Sequence, residues 1–256
     1  MKLYFLPEGQ SQNETVVGVG VFDGLHLAHR RLLSQVTSLA KKNGLKAGVL
    51  TFDPPPPLFF QRPDYLLITT LEEKIELFSK LKLDTAFILR FDRGISSLSP
   101  REFVRDILVS KVKAKFVVVG QNFNFGRDRT GDVRSLEALG EEFGFQVVKI
   151  PLIKLPSGEI VSSSLVRKLI QEGRITEANK LLCAPLTLRF VRQKESDLYL
   201  LKDKEKVQPA PGRYLVSVNP GKIICPVDYH SLLTLPGSQH QEIEVSFLGD
   251  EVAVKI

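Results

Sequence analysis

Short apolar runs alternate with segments of helical periodicity along the first two thirds of the chain. Between two of these runs, residues 26–42 place apolar side chains on one helical face, and Gly44 follows as a stop signal. This alternation predicts an α/β fold with a Rossmann-like parallel sheet, in which ligands bind at the carboxyl ends of the strands. The predicted strands, rich in Val, Ile and Phe, are residues 16–22, 47–52, 85–89, 115–119 and 145–150.

Capping residues mark where further helices begin. Ser99, Pro100 and Glu102 have the spacing of a capping box with proline at the first helical position. Asp132 is placed to cap another helix, and residues 72–81 repeat apolar side chains at helical intervals. Helices in these places supply the crossovers that a parallel sheet requires.

The pattern changes after a helical stretch at residues 164–182. From Pro185 onward the chain holds short strand-like runs separated by turn signals rich in Pro and Gly. These runs predict a small all-β, barrel-like module, so we expect one domain at residues 1–184 and a second at 185–256. The predicted strands are residues 186–191, 198–201, 214–218, 223–225, 243–247 and 252–256.

Composition narrows the class of protein. The 256 residues are 43% hydrophobic and 25% charged, as in globular proteins, and no apolar run approaches the roughly 20 residues that cross a bilayer. The first residues lack the features of a secretory signal, and Cys183 and Cys225 form no metal-binding or redox pair, so we expect a cytoplasmic protein with no membrane partner. The net charge of +6 is dispersed, so no nucleic-acid partner is expected. The sequence leaves the oligomeric state open.

Residues 18–29 hold the densest candidate chemistry. A buried strand ends in a glycine-containing turn and runs into a helix, whose first N–H groups and positive dipole end suit a phosphate. His26 and His29 are expected on one face of the first helical turn, where two imidazoles can stabilise charge on a phosphate. The alternatives are two partly exposed histidines at a helix start, or two metal ligands that lack a third. The segment matches neither the dinucleotide fingerprint nor the Walker A sequence.

Four ordered segments together resemble one known family. Residues 18–29 are similar to the G-x-F-D-G-x-H-x-G-H stretch of the bacterial FAD synthetases, bifunctional riboflavin kinase/FMN adenylyltransferases within the HxGH nucleotidyltransferase group. Residues 51–54 resemble the T-F-[DE]-P turn, residues 120–126 the G-x-[DN]-F-x-F-G loop, and residues 162–167 the S-S-[ST]-x-[IV]-R helix start. The resemblance covers about residues 16–185, and four motifs in the family's order are more specific than any one of them.

The resemblance implies an enzyme that makes FAD and pyrophosphate from FMN and ATP by direct in-line attack on the ATP α-phosphate. It implies catalytic roles for His26, His29 and Arg167, which should converge on one triphosphate, with Mg²⁺ held by the ATP phosphates rather than by a protein cage. The implied nucleotide-binding residues are Gly20, Phe22, Asp23, Gly24, Ser163 and Ser164. The implied flavin-binding residues are Asn122, Phe123, Phe125, Gly126 and Arg129.

Several of these residues also fit plainer roles. The serines before Arg167 can cap a helix and leave the arginine at the surface. Phe123 and Phe125 can form a hydrophobic plug under a loop instead of a flat wall for a flavin or adenine ring. Asp23 is expected either to orient its turn or to contact a metal-bound water.

The sequence departs from the family's pattern in three places. Ala28 replaces the glycine between the histidines, where an added methyl group restricts the approach of ATP to the backbone. Pro55 stands where many relatives have histidine, which removes a polar contact to substrate. The flavokinase loop G-x-P-T-A-N, which holds Mg-ATP in the family, is absent from the sequence, and neither Glu242 nor Glu244 aligns cleanly with the general base.

The missing loop predicts a degenerate flavokinase module and an adenylyltransferase without kinase activity, because phosphoryl transfer depends on positioning and charge stabilisation. Three alternatives stay open. They are a bifunctional enzyme that also phosphorylates riboflavin, a nucleotidyltransferase with another phosphate acceptor, and a non-catalytic flavin or nucleotide sensor.

Overall fold

The computed structural model describes residues 1–193, 196–218, 221–227, 232–234 and 240–250. The chain divides into two compact units. Unit 1 consists of Met1–Phe22, Ala28–Tyr65 and Leu71–Lys154, and unit 2 of Asp23–Leu27, Leu66–Thr70 and Leu155–Ile256. Two short segments from the N-terminal half thus belong with the C-terminal half. The domain boundary at residue 185 stays a prediction.

Unit 1 is built on a six-stranded sheet. Its strands follow the order β1-β4-β3-β2-β5-β6, and every neighbouring pair is parallel. Each strand predicted for this part of the chain is present, so the Rossmann-like α/β class is confirmed. The strands are β1 (Lys2–Leu6), β2 (Thr15–Val19), β3 (Lys46–Asp53), β4 (Thr85–Arg90), β5 (Ala114–Gly120) and β6 (Gln146–Ile150).

Two strands differ from the prediction for physical reasons. β1 was not predicted, because its apolar run is only four residues long and is ended at once by Pro7 and Glu8. The strand lies at the edge of the sheet, where only Leu6 is fully buried. β2 ends at Val19 rather than at residue 22, because the backbone leaves the sheet in a turn where Phe22 has a positive φ of 54°.

Helices lie between the strands of unit 1 from β2 onward. The capping box is confirmed, since Ser99 Oγ accepts from Glu102 N and Glu102 Oε2 accepts from Ser99 N. Asp132 also caps its helix, accepting from Ser135 N at 2.8 Å. The helices are α1 (Leu27–Asn43), α2 (Pro56–Phe59), α3 (Leu71–Lys80), α4 (Arg93–Ser97), α5 (Pro100–Glu102), which continues as a π-helix at Phe103–Lys111, and α6 (Val133–Phe143). Within the described ranges, no helix is long and apolar enough to span a membrane.

In the described part of unit 2, two α-helices accompany a closed barrel of six antiparallel strands, which confirms the predicted barrel-like module. The helices α7 (Ser163–Gln171) and α8 (Ile175–Leu181) replace the single stretch predicted at residues 164–182, because Gly173 has a positive φ of 77°. The predicted strand at residues 252–256 lies outside the described residues. The strands are β7 (Thr187–Arg192), β8 (Leu198–Leu201), β9 (Gly212–Val218), β10 (Gly221–Val227), β11 (Leu232–Thr234) and β12 (Glu242–Asp250).

Alternating burial along β12 shows how the barrel forms its interior. Ile243, Val245 and Phe247 are buried. The alternating residues Glu242 and Glu244 are exposed, as expected where successive side chains point to opposite faces of a strand. Because one face of the strand is apolar and the other polar, its register was visible in the sequence. The short strand β11 was not predicted, since three residues are too few to show a period.

The helix α8 is fastened to the last barrel strand by hydrogen bonds. Ile175 N donates to Asp250 Oδ1 at 2.6 Å, and Asn179 Nδ2 donates to the Phe247 carbonyl at 2.8 Å. The barrel and α8 therefore form one packed body within unit 2.

A hydrophobic core in unit 1 joins the sheet to its helices. Leu136 of α6 and Phe125 of the loop after β5 both belong to it. Its buried members are Leu6, Val17, Val19, Leu50, Phe87, Leu89, Phe103, Val104, Ile107, Leu108, Val112, Ala114, Val117, Val119, Phe125, Val133, Leu136 and Phe145.

We expect Leu136→Ala to lower the free energy of unfolding by about 3 kcal/mol, because the side chain is fully buried and its truncation leaves a cavity. Urea denaturation of the full chain, followed by circular dichroism, measures the change. Glu141→Ala, on the exposed face of the same helix, is the matched control and should change it by less than about 0.5 kcal/mol. Equal losses in the two variants would show that α6 does not pack as described.

Candidate functional site

The carboxyl ends of three adjacent strands carry the motifs of unit 1. β2 lies between β3 and β5, and the chain order runs outward from it in both directions, which makes the gap between β2 and β5 a topological switch point. Residues 20–22 follow β2, residues 51–54 end β3, and residues 120–126 follow β5. Three segments that are far apart in the chain are thus brought to one edge of the sheet.

A strained turn follows β2. Phe22 has a positive φ of 54°, a conformation that a non-glycine residue adopts only where its surroundings hold it. Its ring is fully buried, with its centroid 5.1 Å from the His29 ring and 5.8 Å from the Phe78 ring. Phe22, expected from the resemblance to bind nucleotide, is thus placed to support the imidazole of His29.

Two polar side chains hold the backbone just before this turn. Thr51 Oγ1 donates to the Val21 carbonyl at 3.0 Å, and Lys74 Nζ lies 3.4 Å from the same oxygen. Lys74 is buried, so its ammonium group requires acceptors such as these. Lys74 was not predicted as part of the site, because a lysine on an amphipathic helix ordinarily faces solvent.

The turn Asp23–Leu25 belongs to unit 2. Gly24 has a positive φ of 76°, and a Cβ there would lie 3.0 Å from side-chain atoms of both Ile68 and Leu182. Glycine is therefore required at this position by backbone conformation and by close packing, independently of any contact with a nucleotide.

The carboxylate of Asp23 is the centre of a dense set of hydrogen bonds. It is 1% exposed and accepts from Ile68 N at 3.0 Å, Thr69 N at 2.9 Å and Thr69 Oγ1 at 3.1 Å. It also accepts from the guanidinium of Arg167 in a buried ion pair. Of the two roles expected for Asp23, these contacts describe the one in which the carboxylate orients its turn.

The start of α7 brings the predicted serine–arginine segment to this turn. Ser163 Oγ donates to the Asp23 carbonyl at 2.9 Å, and Arg167 Nε donates to the Leu66 carbonyl at 2.6 Å. Ser162 caps the helix by accepting from Leu165 N at 3.2 Å. Arg167, which the resemblance assigns to the triphosphate, is thus engaged by acceptors of the protein itself.

His26 lies beside this ion pair and immediately before α1, which begins at Leu27, one residue later than predicted. Its side chain is buried, with 4% of the residue exposed. Burial lowers the pKa of His26 from its ordinary value of 6.5 to about 4, the charge of Asp23 raises the pKa in part, and the charge of Arg167 lowers it again. The imidazole is therefore neutral at pH 7.

The two phenylalanines of the loop after β5 differ in burial. Phe125 is 6% exposed and packs in the core, 5.8 Å from Phe103, whereas Phe123 is partly buried and stacks on Phe125 at 5.5 Å. Phe125 thus has the position expected of a hydrophobic plug. Gly126 has a φ of 72°, and a Cβ there would lie 2.8 Å from the backbone nitrogen of Pro100. The remaining predicted flavin contacts, Asn122 and Arg129, are exposed.

A second aromatic group lies in unit 1, at the ends of β3 and β4. The Phe91 ring has its centroid 5.9 Å from Phe52, 5.3 Å from Phe59 and 5.9 Å from Phe60. Phe60 is 60% exposed, an uncommon state for so large an apolar ring. We name these four residues the aromatic cluster. The cluster was not predicted, because only Phe59 and Phe60 are adjacent in the sequence. Phe52 lies near the end of β3, and Phe91 directly follows β4.

Unit 2 offers donors that an anion can use. The hydroxyl of Ser164 is exposed, and the nine-residue helix α7 presents its first N–H groups at the same end. Over the described part of the chain, no group of three or more His, Cys, Asp or Glu side chains is arranged to hold a metal ion.

Comparison with known proteins agrees with this arrangement of motifs. Residues 8–165 match the family described as FAD synthetase. A bifunctional riboflavin kinase/FMN adenylyltransferase of Buchnera aphidicola subsp. Schizaphis graminum is 32% identical over 177 residues, which are 69% of this chain and 57% of the relative. The protein of the same name from Escherichia coli K12 is 31% identical over 216 residues, 81% of this chain and 69% of the relative. The chain thus spans little more than half the length of the Buchnera relative.

A solved structure extends the likeness to the whole chain. The crystal structure titled macrolide-efflux protein from Streptococcus pneumoniae matches with a TM-score of 0.83 at 25% identity, covering 98% of this chain and 99% of that one. The fold of both units therefore recurs in this Streptococcus protein. On the family match and the E. coli relative together, the chain belongs to the FAD synthetase family.

Proposed function

We propose that this protein is an FMN adenylyltransferase, which converts FMN and ATP to FAD and pyrophosphate. The observation that carries the proposal is the cluster of Asp23, Ser163 and Arg167, which joins the turn after β2 to the start of α7 with a neutral His26 beside it. Membership of the FAD synthetase family and the names of the relatives support the choice of substrates.

The proposed reaction is a direct displacement. A phosphate oxygen of FMN forms a bond to the α-phosphorus of ATP, the bond from that phosphorus to the oxygen that bridges to the β-phosphate breaks, and the electron pair leaves with pyrophosphate. No covalent enzyme intermediate is required, because orientation and charge stabilisation suffice. ATP would be used as its Mg²⁺ complex, in which the metal would be held by the phosphates and would reduce their charge.

In this proposal the triphosphate binds where α7 begins. The exposed hydroxyl of Ser164 and the first N–H groups of the helix donate to its oxygens. His26 and His29 keep the roles that the family resemblance implies, in which their imidazoles stabilise charge that builds on the leaving pyrophosphate. Arg167 acts through Asp23 and Leu66, as a positioning residue.

The flavin binds, in this proposal, at the strand ends of unit 1. Phe123 offers a partly buried ring, and Asn122 and Arg129 offer exposed polar groups on the same loop. The aromatic cluster supplies a further apolar surface for the isoalloxazine ring, with Phe60 as its exposed member. The departures Ala28 and Pro55 leave these groups in place. Pro55 caps α2 in an extended conformation with a φ of −57°, which suits proline.

Kinase activity is not part of the proposal, although a barrel is present. The sequence lacks the loop that holds Mg-ATP in the family's flavokinase. Glu242 and Glu244, the candidates for its general base, lie on the outward face of β12, and Glu242 is paired with Lys202 at 2.7 Å. A carboxylate that is solvated and paired is poorly suited to remove a proton from a substrate hydroxyl.

We expect the purified full chain to form FAD from FMN and Mg-ATP, as measured by chromatography. His29→Ala should lower kcat/KM by about 100-fold or more, because the imidazole stabilises charge in the transition state. His240→Ala, which removes an exposed imidazole, is the control and should leave the rate unchanged. Tight binding of FMN and ATP without turnover would instead identify a nucleotide sensor.

With riboflavin and Mg-ATP as the only substrates, we expect no FMN, since the phosphate-holding loop is missing. The same chromatographic assay detects FMN. Production of FMN at a rate comparable to that of FAD would replace the proposal with a bifunctional enzyme.

We expect the stability of the protein to depend on pH through His26. The unfolded chain protonates this residue near its ordinary pKa of 6.5 and the native protein only near pH 4, so the native state loses stability as the pH falls through this window. The loss should be about 2 kcal/mol between pH 7 and pH 5. Urea unfolding measures it, and His26→Asn should remove that loss whereas His240→Asn should keep it. Identical pH dependence in the two variants would contradict the buried, neutral His26.

A further inference from the structure

The segment Leu66–Thr70, which we name the strap, holds the Asp23 turn from one side. Ile68 N, Thr69 N and Thr69 Oγ1 all donate to the Asp23 carboxylate. Thr69 Oγ1 in turn accepts from Gly24 N at 2.9 Å. The threonine hydroxyl therefore donates to the carboxylate and accepts from the next backbone amide, and both the charge and the path of the turn depend on it.

The opposite side of the strap pairs with a loop of the barrel. Leu67 N donates to the Glu205 carbonyl at 2.8 Å, and Val207 N donates to the Leu67 carbonyl at 2.7 Å. These two bonds form a short parallel bridge between Leu67 and Lys206. Because the strap belongs to no helix or strand of its own, partners on its two sides set its conformation.

The barrel loop that pairs with the strap, residues 202–207, is held by two buried charged side chains. The buried Asp203 accepts from Arg189 N at 2.9 Å and Arg189 Nε at 2.8 Å. Lys206 is 1% exposed, and its Nζ donates to the Thr187 carbonyl at 2.6 Å. Both anchors attach the loop to β7. Charged residues ordinarily face solvent, but Asp203 and Lys206 of this loop are buried and hold it in place.

We propose that the barrel serves as a brace for the adenylyl-transfer site, acting through the strap on Asp23, with Thr69 and Lys206 as positioning residues. The catalytic part of this inference rests on the proposed function, whereas its structural part does not. A buried carboxylate is costly unless all its donors are in place, so a strap displaced by loss of its barrel partners would leave Asp23 poorly solvated and its turn free to move. The barrel then has a role that needs no kinase chemistry.

The test compares Lys206→Met with Lys204→Met in the full chain by amide hydrogen exchange. The two lysines lie two residues apart in one loop, but Lys206 is buried and Lys204 is exposed. We expect Lys206→Met to speed exchange in residues 66–70 and 23–27 by about tenfold relative to the control variant, because the brace opens locally. Equal exchange in the two variants would overturn the proposal.

A second pair of variants keeps the proposal testable if Lys206→Met fails to fold. Thr69→Val removes only the hydroxyl and should speed exchange of the Gly24 amide, and it should lower kcat about tenfold with little change in KM for ATP, because the bound triphosphate is misaligned. Thr69→Ser should restore both. If Thr69→Val behaves as the unsubstituted protein, the strap does not position the turn. A protein without any FAD synthesis would defeat the proposed function alone, since the exchange results stand without it.

Discussion

The buried carboxylate of Asp23 is the constraint on which the candidate site depends. A buried carboxylate destabilises the folded protein by several kcal/mol unless it forms an ion pair and its oxygens accept further hydrogen bonds. Asp23 meets that condition with two backbone amides, one hydroxyl and the Arg167 guanidinium. These donors come from the strap and from α7, so the turn, the strap and the helix start cannot be placed independently.

The same ion pair determines the net charge that these side chains present to a nucleotide. Asp23 and Arg167 largely cancel each other's charge, and His26 beside them stays neutral because burial outweighs the attraction of the carboxylate. A polyphosphate would therefore bring most of the charge itself. The backbone of the turn is strained, with positive φ at Phe22, Gly24 and Leu25. Such strain persists only where many surrounding contacts hold the backbone in place.

Local patterns predicted the elements of the fold well, because each element repeats its apolar side chains at its own period. The parallel sheet and most barrel strands were visible in this way, and the capping box at Ser99 and the cap at Asp132 marked two helix starts. The elements that escaped were those without a period. β1 lies at an exposed edge, β11 has three residues, and the break between α7 and α8 depends on one glycine.

The sequence by itself determined which residue types carry the chemistry and the family to which they belong, since four short motifs stand in a recognisable order. Only the tertiary structure decided what each side chain touches. In the folded protein Arg167 forms an ion pair with Asp23, and Phe125 lies in the core. Lys74 and Lys206 are buried, although charged residues usually face water. The physical reason is that burial and pairing depend on segments far apart in the chain, and no local pattern records which of them will meet.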